Sequence, residues 1–258
     1  MSRTARAAGR VLVPLGALAA MACAPAARTG ATGAPTPAVA RAPLPAPELS
    51  LALRWMRRSA EYRAATRQTY ALAGQRLAEL VPAVEAGRWG VILDADETVL
   101  DNSEYAVRRE MLDSAYTELS WSAWVREEAA GAVPGAAAFT ARVRALGGRV
   151  VIITNRADSL CTPTRANLRK AGIVADLVIC MASGQDDKNP RFVRVQNGTA
   201  SPDLPPLAVL EWLGDNIQDF PRLTQAGRGD TATYALFGRR YFVLPNPDYG
   251  SWQANRGP

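Results

Sequence analysis

Five short apolar runs, separated by helix-like stretches, constrain this chain more than any other feature. Trp89–Leu93, Val150–Ile153 and Leu207–Leu213 are nearly continuous in apolar residues, Asp176–Ile179 is weaker, and Tyr241–Leu244 is a fifth. Continuous rather than alternating runs suit strands buried on both faces, as in a parallel sheet. Residues 135–146 follow Pro134, a residue well placed at a helix start. Residues 159–171 end at Gly172, which suits a helix C-cap. Strand–helix alternation predicts an α/β fold: a parallel sheet flanked by helices with right-handed crossovers. Ligands in such sheets bind beyond the carboxyl ends of the strands. Three of those ends carry polar clusters: Asp94 with Asp96, Thr154 with Asn155, and Asp215 with Asp219.

The remaining segments attach to this sheet. Residues 48–86 carry Leu49, Leu53, Met56, Tyr70, Leu77 and Leu80 at helix-like intervals, with Pro82 ending or bending the helical region. Residues 97–133 are too many for a simple loop and include Tyr116, Trp121 and Trp124. They are expected to form a mainly helical insertion that covers the site together with the N-terminal helices, a small cap subdomain.

The first 47 residues read differently. Arg3, Arg6 and Arg10 precede an apolar run from Val11 to Ala22, shorter than the ~20 residues of a spanning helix, so residues 1–23 read as an export signal. Ala20-Met21-Ala22-Cys23 resembles a lipobox, which implies a lipid-anchored envelope protein; the alternative is ordinary cleavage after an A-x-A site, giving a soluble exported chain. Residues 24–47, rich in Ala, Pro, Thr and Gly, read as a semi-extended tether. The folded domain is then 48–258.

Composition removes several function classes. The chain has no histidine, which excludes phosphohistidine enzymes, Ser-His-Asp triads and His-ligated zinc. The net charge of +6 comes largely from arginines before residue 48, and no dense basic stripe follows, so no nucleic-acid polymer is expected as a partner. A membrane enters only through the N-terminal anchor, and the oligomeric state, a homodimer included, is left open. Cys161 and Cys180 can pair in an oxidising compartment or remain separate thiols.

The chemistry must therefore run on carboxylates, hydroxyls, lysine and oxygen-ligated metals. Asp94 and Asp96 sit two residues apart just past a strand. One such acid can attack phosphorus while the other gives a proton to the leaving oxygen and later activates water. Asp215 and Asp219 add two more carboxylates, and such a cluster suits Mg²⁺. Of 30 basic residues only Lys170 and Lys188 are lysine, so a lysine at 188 points to a need for a compact charge.

Four segments, VILDADETVLDNSEY (91–105), VIITNRAD (151–158 with Val150 before it), DKNPRF (187–192) and WLGDNIQDF (212–220), resemble in order and spacing the four motifs of the haloacid dehalogenase (HAD) superfamily. More narrowly the chain is similar to class C acid phosphatases, the lipoprotein e type, over about residues 48–252. The resemblance implies a HAD-like Rossmannoid sheet and a Mg²⁺-dependent acid phosphatase acting on small phosphomonoesters, 5'-nucleotides among them. It implies Asp94 as nucleophile and metal ligand, and Asp96 as general acid/base with its backbone carbonyl on the metal. Thr154 and Lys188 would hold the phosphoryl group, Asp215 and Asp219 the metal, and Asn155, Arg156 and Tyr249 the substrate. Asn102 is a further candidate for shaping the site, and Tyr105, Trp124 and Trp252 are candidate ring partners, though each taken singly reads first as core or surface filler. Two alternatives stand beside this reading. One is an inactive surface lipoprotein that keeps the fold as a binding module; the other is a phosphonatase or dehalogenase of the same superfamily. The absence of lysine from residues 97–133 argues against the phosphonatase.

Overall fold

The computed structural model describes residues 48–256; the signal and tether expected in 1–47 lie outside the described residues. Five parallel strands form the main sheet: β1 (Trp89–Leu93), β4 (Arg149–Ala157), β5 (Leu177–Met181), β6 (Ala208–Gly214) and β7 (Tyr241–Val243), in the spatial order β5-β4-β1-β6-β7. Two short strands, β2 (Leu100–Asp101) and β3 (Gly131–Ala132), pair antiparallel apart from it. The helices are α1 (Leu51–Arg58), α2 (Ala60–Leu80), α3 (Ser103–Met111), α4 (Glu118–Glu127), α5 (Ala136–Ala145), α6 (Cys161–Lys170) and α7 (Asn189–Gln196).

Why the apolar runs are continuous is visible in the packing. Along β1 and β4, Val91, Leu93, Val150 and Ile152 enter one core, while Ile92, Val151 and Ile153 enter a second. The first core also takes Leu77 of α2, Phe139 and Val143 of α5 and Leu168 of α6; the second takes Phe192 and Val195 of α7. A strand covered on both faces needs apolar residues at every position. β6 departs from this. A register shift between Gly90 and Val91 coincides with buried Glu211, whose two carboxylate oxygens have no hydrogen-bond partner among the described residues. Burial pushes the Glu211 pKa up to about 9, against the pull of Arg76 and Arg240.

The expected helical region 48–86 is interrupted. Ser59 is extended, its hydroxyl donates to the Trp55 carbonyl (2.7 Å), and its oxygen accepts the Tyr62 N–H (3.0 Å), so one serine stops α1 and caps α2. Pro82 falls in a single 3₁₀ turn after α2. The strand expected at 150–153 runs on to Ala157, with irregular register against β5 beyond Ile153. Thr154, Asn155 and Arg156 thus lie within β4. Helix α7, directly after Lys188, was not foreseen.

Residues 97–133 leave β1 through β2, form α3 and α4, and return through β3. The β2–β3 ladder pairs Leu100 with Ala132 and Asp101 with Gly131. α1 braces this insertion: Arg57 donates to the Ser103 hydroxyl (3.1 Å), and the Ser50 N–H donates to Glu110 Oε1 (3.0 Å). Cys161 and Cys180 form a disulfide that joins the start of α6 to β5, closing the question left by the sequence.

Candidate active site

After β1 the chain runs to β4 and β5 on one side of the sheet; it then crosses back to β6 and β7 on the other. The loops leaving neighbouring β1 and β6 consequently diverge, and a crevice opens at their carboxyl ends. Asp94 is the first residue past β1, and its N–H donates to the Leu213 carbonyl of β6 (3.0 Å). Asp215 is the first residue past β6. Asp219 lies one 3₁₀ turn further and folds back over Gly214, where an added Cβ would stand 2.3 Å from the Asp219 Cβ. Glycine is required at 214 for this close approach.

These three carboxylates converge: one oxygen from each lies within 4.8 Å of the others. Lys188, in the loop after β5, is buried and sits between two of them, with Nζ 2.5 Å from Asp94 Oδ1 and 2.6 Å from Asp219 Oδ1. Asp215 is held from both sides by the Thr98 hydroxyl (3.1 Å to Oδ1) and Asn246 Nδ2 (2.9 Å to Oδ2).

The electrostatics follow from crowding. Burial, together with the charges of Asp219 and Asp96, pushes the Asp94 pKa up to about 7 although Lys188 opposes it. Burial and the charges of Asp219 and Asp94 drive Asp215 well above the carboxylate range. Burial works against the Lys188 charge, but Asp219 and Asp94 outweigh it and hold its pKa above the usual value. Three acids, Asp94 and Asp219 buried and Asp215 half-buried, crowd one ammonium, and the donor atoms are all oxygen. Such a set fits a hard divalent cation.

Asp96 stands apart from this trio. Arg156 donates to its carboxylate through Nε (2.9 Å) and Nη2 (2.7 Å), and Asn102 Nδ2 adds a third bond (2.8 Å). Arg156, expected among substrate-binding residues, borders the cavity; its side chain is buried and paired to Asp96. Thr154 is also fully buried, and its hydroxyl accepts the Arg156 N–H (3.1 Å). Asn155 is exposed and borders the cavity, donating to the Asp186 carbonyl (2.9 Å).

A cavity of about 900 Å³ opens onto these groups. Asp94, Asp96, Lys188, Asp215 and Asp219 line its floor, and Tyr105, Tyr116 and Trp121 of the insertion form one wall. Tyr105 is the hub of that wall, 5.2 Å from Trp121 and 6.5 Å from Tyr116 between ring centroids. Tyr249 borders the cavity from the C-terminal tail and donates its hydroxyl to Glu97. Trp124 is core: it is buried, and its indole donates to Asn102 Oδ1 (2.9 Å).

Sequence reasoning missed several supports. Of the two residues that hold Asp215, Thr98 gave no signal beyond lying in the 91–105 segment, and Asn246 gave none. Arg191 is buried and donates to the Thr154 carbonyl (2.7 Å), to Asn155 and to the Asp186 carbonyl (3.2 Å), tying the end of β4 to the Lys188 loop. Its place in the DKNPRF segment, three residues after Lys188, was the hint the sequence offered.

A parallel sheet that delivers a strand-end aspartate pair, a buried lysine and two further aspartates to one cavity, beneath a helical insertion, defines a phosphatase of the HAD class. Residues 45–252 match the HAD superfamily, subfamily IIIB (acid phosphatase), and the chain belongs to that family. It is accordingly a phosphomonoester hydrolase. Among solved structures, the class C acid phosphatase from Bacillus anthracis is similar, with a TM-score of 0.70 at 24% identity over 78% of this chain and 85% of that one. The tungstate-bound crystal structure of the B. anthracis enzyme gives a TM-score of 0.69 at 25% identity over the same shares.

Proposed function

We propose that this phosphatase uses Mg²⁺ and an aspartyl-phosphate intermediate on Asp94 to hydrolyse small phosphomonoesters, 5'-nucleotides among them. The observation that carries this reading is the convergence of Asp94, Asp215 and Asp219 within 4.8 Å, with Lys188 bonded to two of them. Asp94, Asp215 and Asp219, with the backbone carbonyl of Asp96, would hold the cation. When bound, the cation offsets repulsion between the Asp94 carboxylate and the phosphate dianion.

The residues then divide the work. Asp94 attacks phosphorus from the cavity floor. Lys188 neutralises Asp94 and an incoming phosphate oxygen. Asp96 gives a proton to the leaving oxygen and afterwards takes one from the attacking water. Asn155, braced by Arg191, borders the phosphoryl position, with Thr154 buried behind it. The ring wall of Tyr105, Tyr116 and Trp121 suits a flat organic leaving group such as a nucleoside, with Tyr249 facing it. That a class C acid phosphatase of the same fold binds tungstate, a tetrahedral oxyanion, supports a phosphoryl-sized subsite here. Export is part of the same proposal. It rests on the residue pattern of 1–23 and is supported by the Cys161–Cys180 disulfide, which suits an oxidising compartment.

Hydrolysis of an aryl phosphate, measured with added Mg²⁺, tests the reading. Activity should vanish with EDTA, return with Mg²⁺, and be absent in Asp94→Asn. Undiminished turnover in EDTA, or in Asp94→Asn, would overturn it.

A further inference from the structure

The two oxygens of the Asp96 carboxylate are not equivalent. Oδ1 accepts three N–H donors: Arg156 Nε (2.9 Å), Arg156 Nη2 (2.7 Å) and Asn102 Nδ2 (2.8 Å). Oδ2 accepts only a longer bond from Arg156 Nε (3.2 Å). The donors to Oδ1 are themselves fixed. The Arg156 side chain is fully buried; Nη2 also donates to Asn102 Oδ1 (3.1 Å), Nη1 to the Thr164 hydroxyl (3.4 Å), and the guanidinium carbon lies 5.4 Å from the Trp121 ring centroid. Asn102 Oδ1 takes a second bond from the Trp124 indole (2.9 Å), which sets the amide so that its NH₂ faces Asp96.

We propose that Arg156 is a positioning residue which, with Asn102, anchors Oδ1 of Asp96 and so makes Oδ2 the oxygen that carries the catalytic proton. A proton on Oδ1 would point an O–H at three N–H groups that offer no acceptor, whereas Oδ2 keeps a free lone pair. The inference rests on the reading of Asp96 as general acid/base. In the first step an Asp94 oxygen bonds to phosphorus, the ester P–O bond breaks with its electron pair on the leaving oxygen, and that oxygen takes the proton from Asp96 Oδ2. In the second step water bonds to phosphorus, the P–O bond to Asp94 breaks with its pair returning to the carboxylate, and the water proton passes to Oδ2. The sum is ester plus water giving alcohol plus phosphate, with both carboxyls restored. Neither step requires Arg156 to touch the substrate.

The test compares an alkyl phosphate, whose leaving oxygen needs a proton, with 2,4-dinitrophenyl phosphate, whose leaving group does not. It uses wild type, Arg156→Gln, Arg156→Lys and Asp96→Asn, all with Mg²⁺. Arg156→Gln should lower kcat/KM for the alkyl ester by about a hundredfold, within the range of general-acid contributions. The loss on the dinitrophenyl ester should stay within about fivefold, and the inhibition constant of inorganic phosphate should move less than about threefold, since neither depends on protonating the leaving group. Arg156→Lys keeps the charge without the fork and should show the same selective loss, smaller in size. It also decides the matter if the glutamine variant does not fold. Equal losses on both esters with a weakened phosphate inhibition constant would make Arg156 a substrate ligand and overturn the proposal; so would no loss at all. If Asp96→Asn itself lost no more on the alkyl than on the dinitrophenyl ester, the acid/base reading would fail, a result distinct from failure of Arg156.

Discussion

At the residue scale, the acidic trio costs stability that a cation returns. In the metal-free protein, Asp94 has a folded pKa raised from the ordinary 3.8 to about 7, and Asp215 is likewise raised well above the carboxylate range. An acid whose folded pKa exceeds its unfolded value contributes stability below the unfolded pKa, and that contribution is lost as pH rises towards the folded pKa. EDTA-treated protein should thus melt at a higher temperature at pH 5 than at pH 7.5, and saturating Mg²⁺ should narrow the difference to the part that Glu211 contributes. Mg²⁺ at a hundred times its dissociation constant should add about 2.7 kcal/mol. Asp215→Asn removes one of the crowded charges while keeping the bonds' geometry near Thr98 and Asn246. Its metal-free form should melt above wild type at pH 7.5, and its melting temperature should no longer respond to Mg²⁺. Differential scanning fluorimetry with and without EDTA reads both effects. Lys188→Met should lower kcat by at least about a hundredfold, the usual cost of removing one preorganised charge from a reacting site.

At the element scale, β6 and α6 carry testable features that play no part in catalysis. Glu211 is buried in β6 without a hydrogen-bond partner among the described residues, and its pKa is pushed up to about 9 against an ordinary 4.5. The folded state therefore holds a proton that the unfolded chain releases, and stability falls as pH rises between those values. Glu211→Gln keeps the neutral shape, so its melting temperature should match wild type near pH 5 and exceed it at pH 8. The disulfide between α6 and β5 spans 19 residues, and its removal in Cys161→Ser/Cys180→Ser should cost about 3 kcal/mol in a denaturant melt. These elements also mark what could be read beforehand. The continuous apolar runs exposed the strands because burial on two faces leaves no room for polar residues. Helix α7 is only eight residues long and opens on Asn189-Pro190, so it offered too little periodicity to be seen. The same applies to the break at Ser59, where a single side chain overrides helical propensity on both sides.

At the scale of the whole molecule, strand order does most of the functional work. β1 sits between β4 and β6, so Asp94 and Asp215, which leave β1 and β6, and Thr154, within β4, come to the same end of adjacent strands though far apart in the chain. That convergence was legible because acids and hydroxyls ended apolar runs. The supports were not: Thr98, Asn246 and Arg191 act through contacts made only after folding, and their residue types are unremarkable in loops and helices. Arg156 shows the limit from the other side. Its place in a quoted segment marked it as important, but only the folded structure shows its guanidinium paired to Asp96 at the edge of the cavity. The insertion over 97–133, braced by α1, closes the cavity with aromatic rings that no periodicity assigned to a wall. The account stands or falls on Asp94 as the atom donor to phosphorus. Acid-quenched single turnover of a phosphomonoester in Mg²⁺, followed by borohydride reduction and peptide mass spectrometry, should find Asp94 reduced to homoserine and no other acid changed. An adduct on a different residue, or turnover in Asp94→Asn at the wild-type rate, would contradict it.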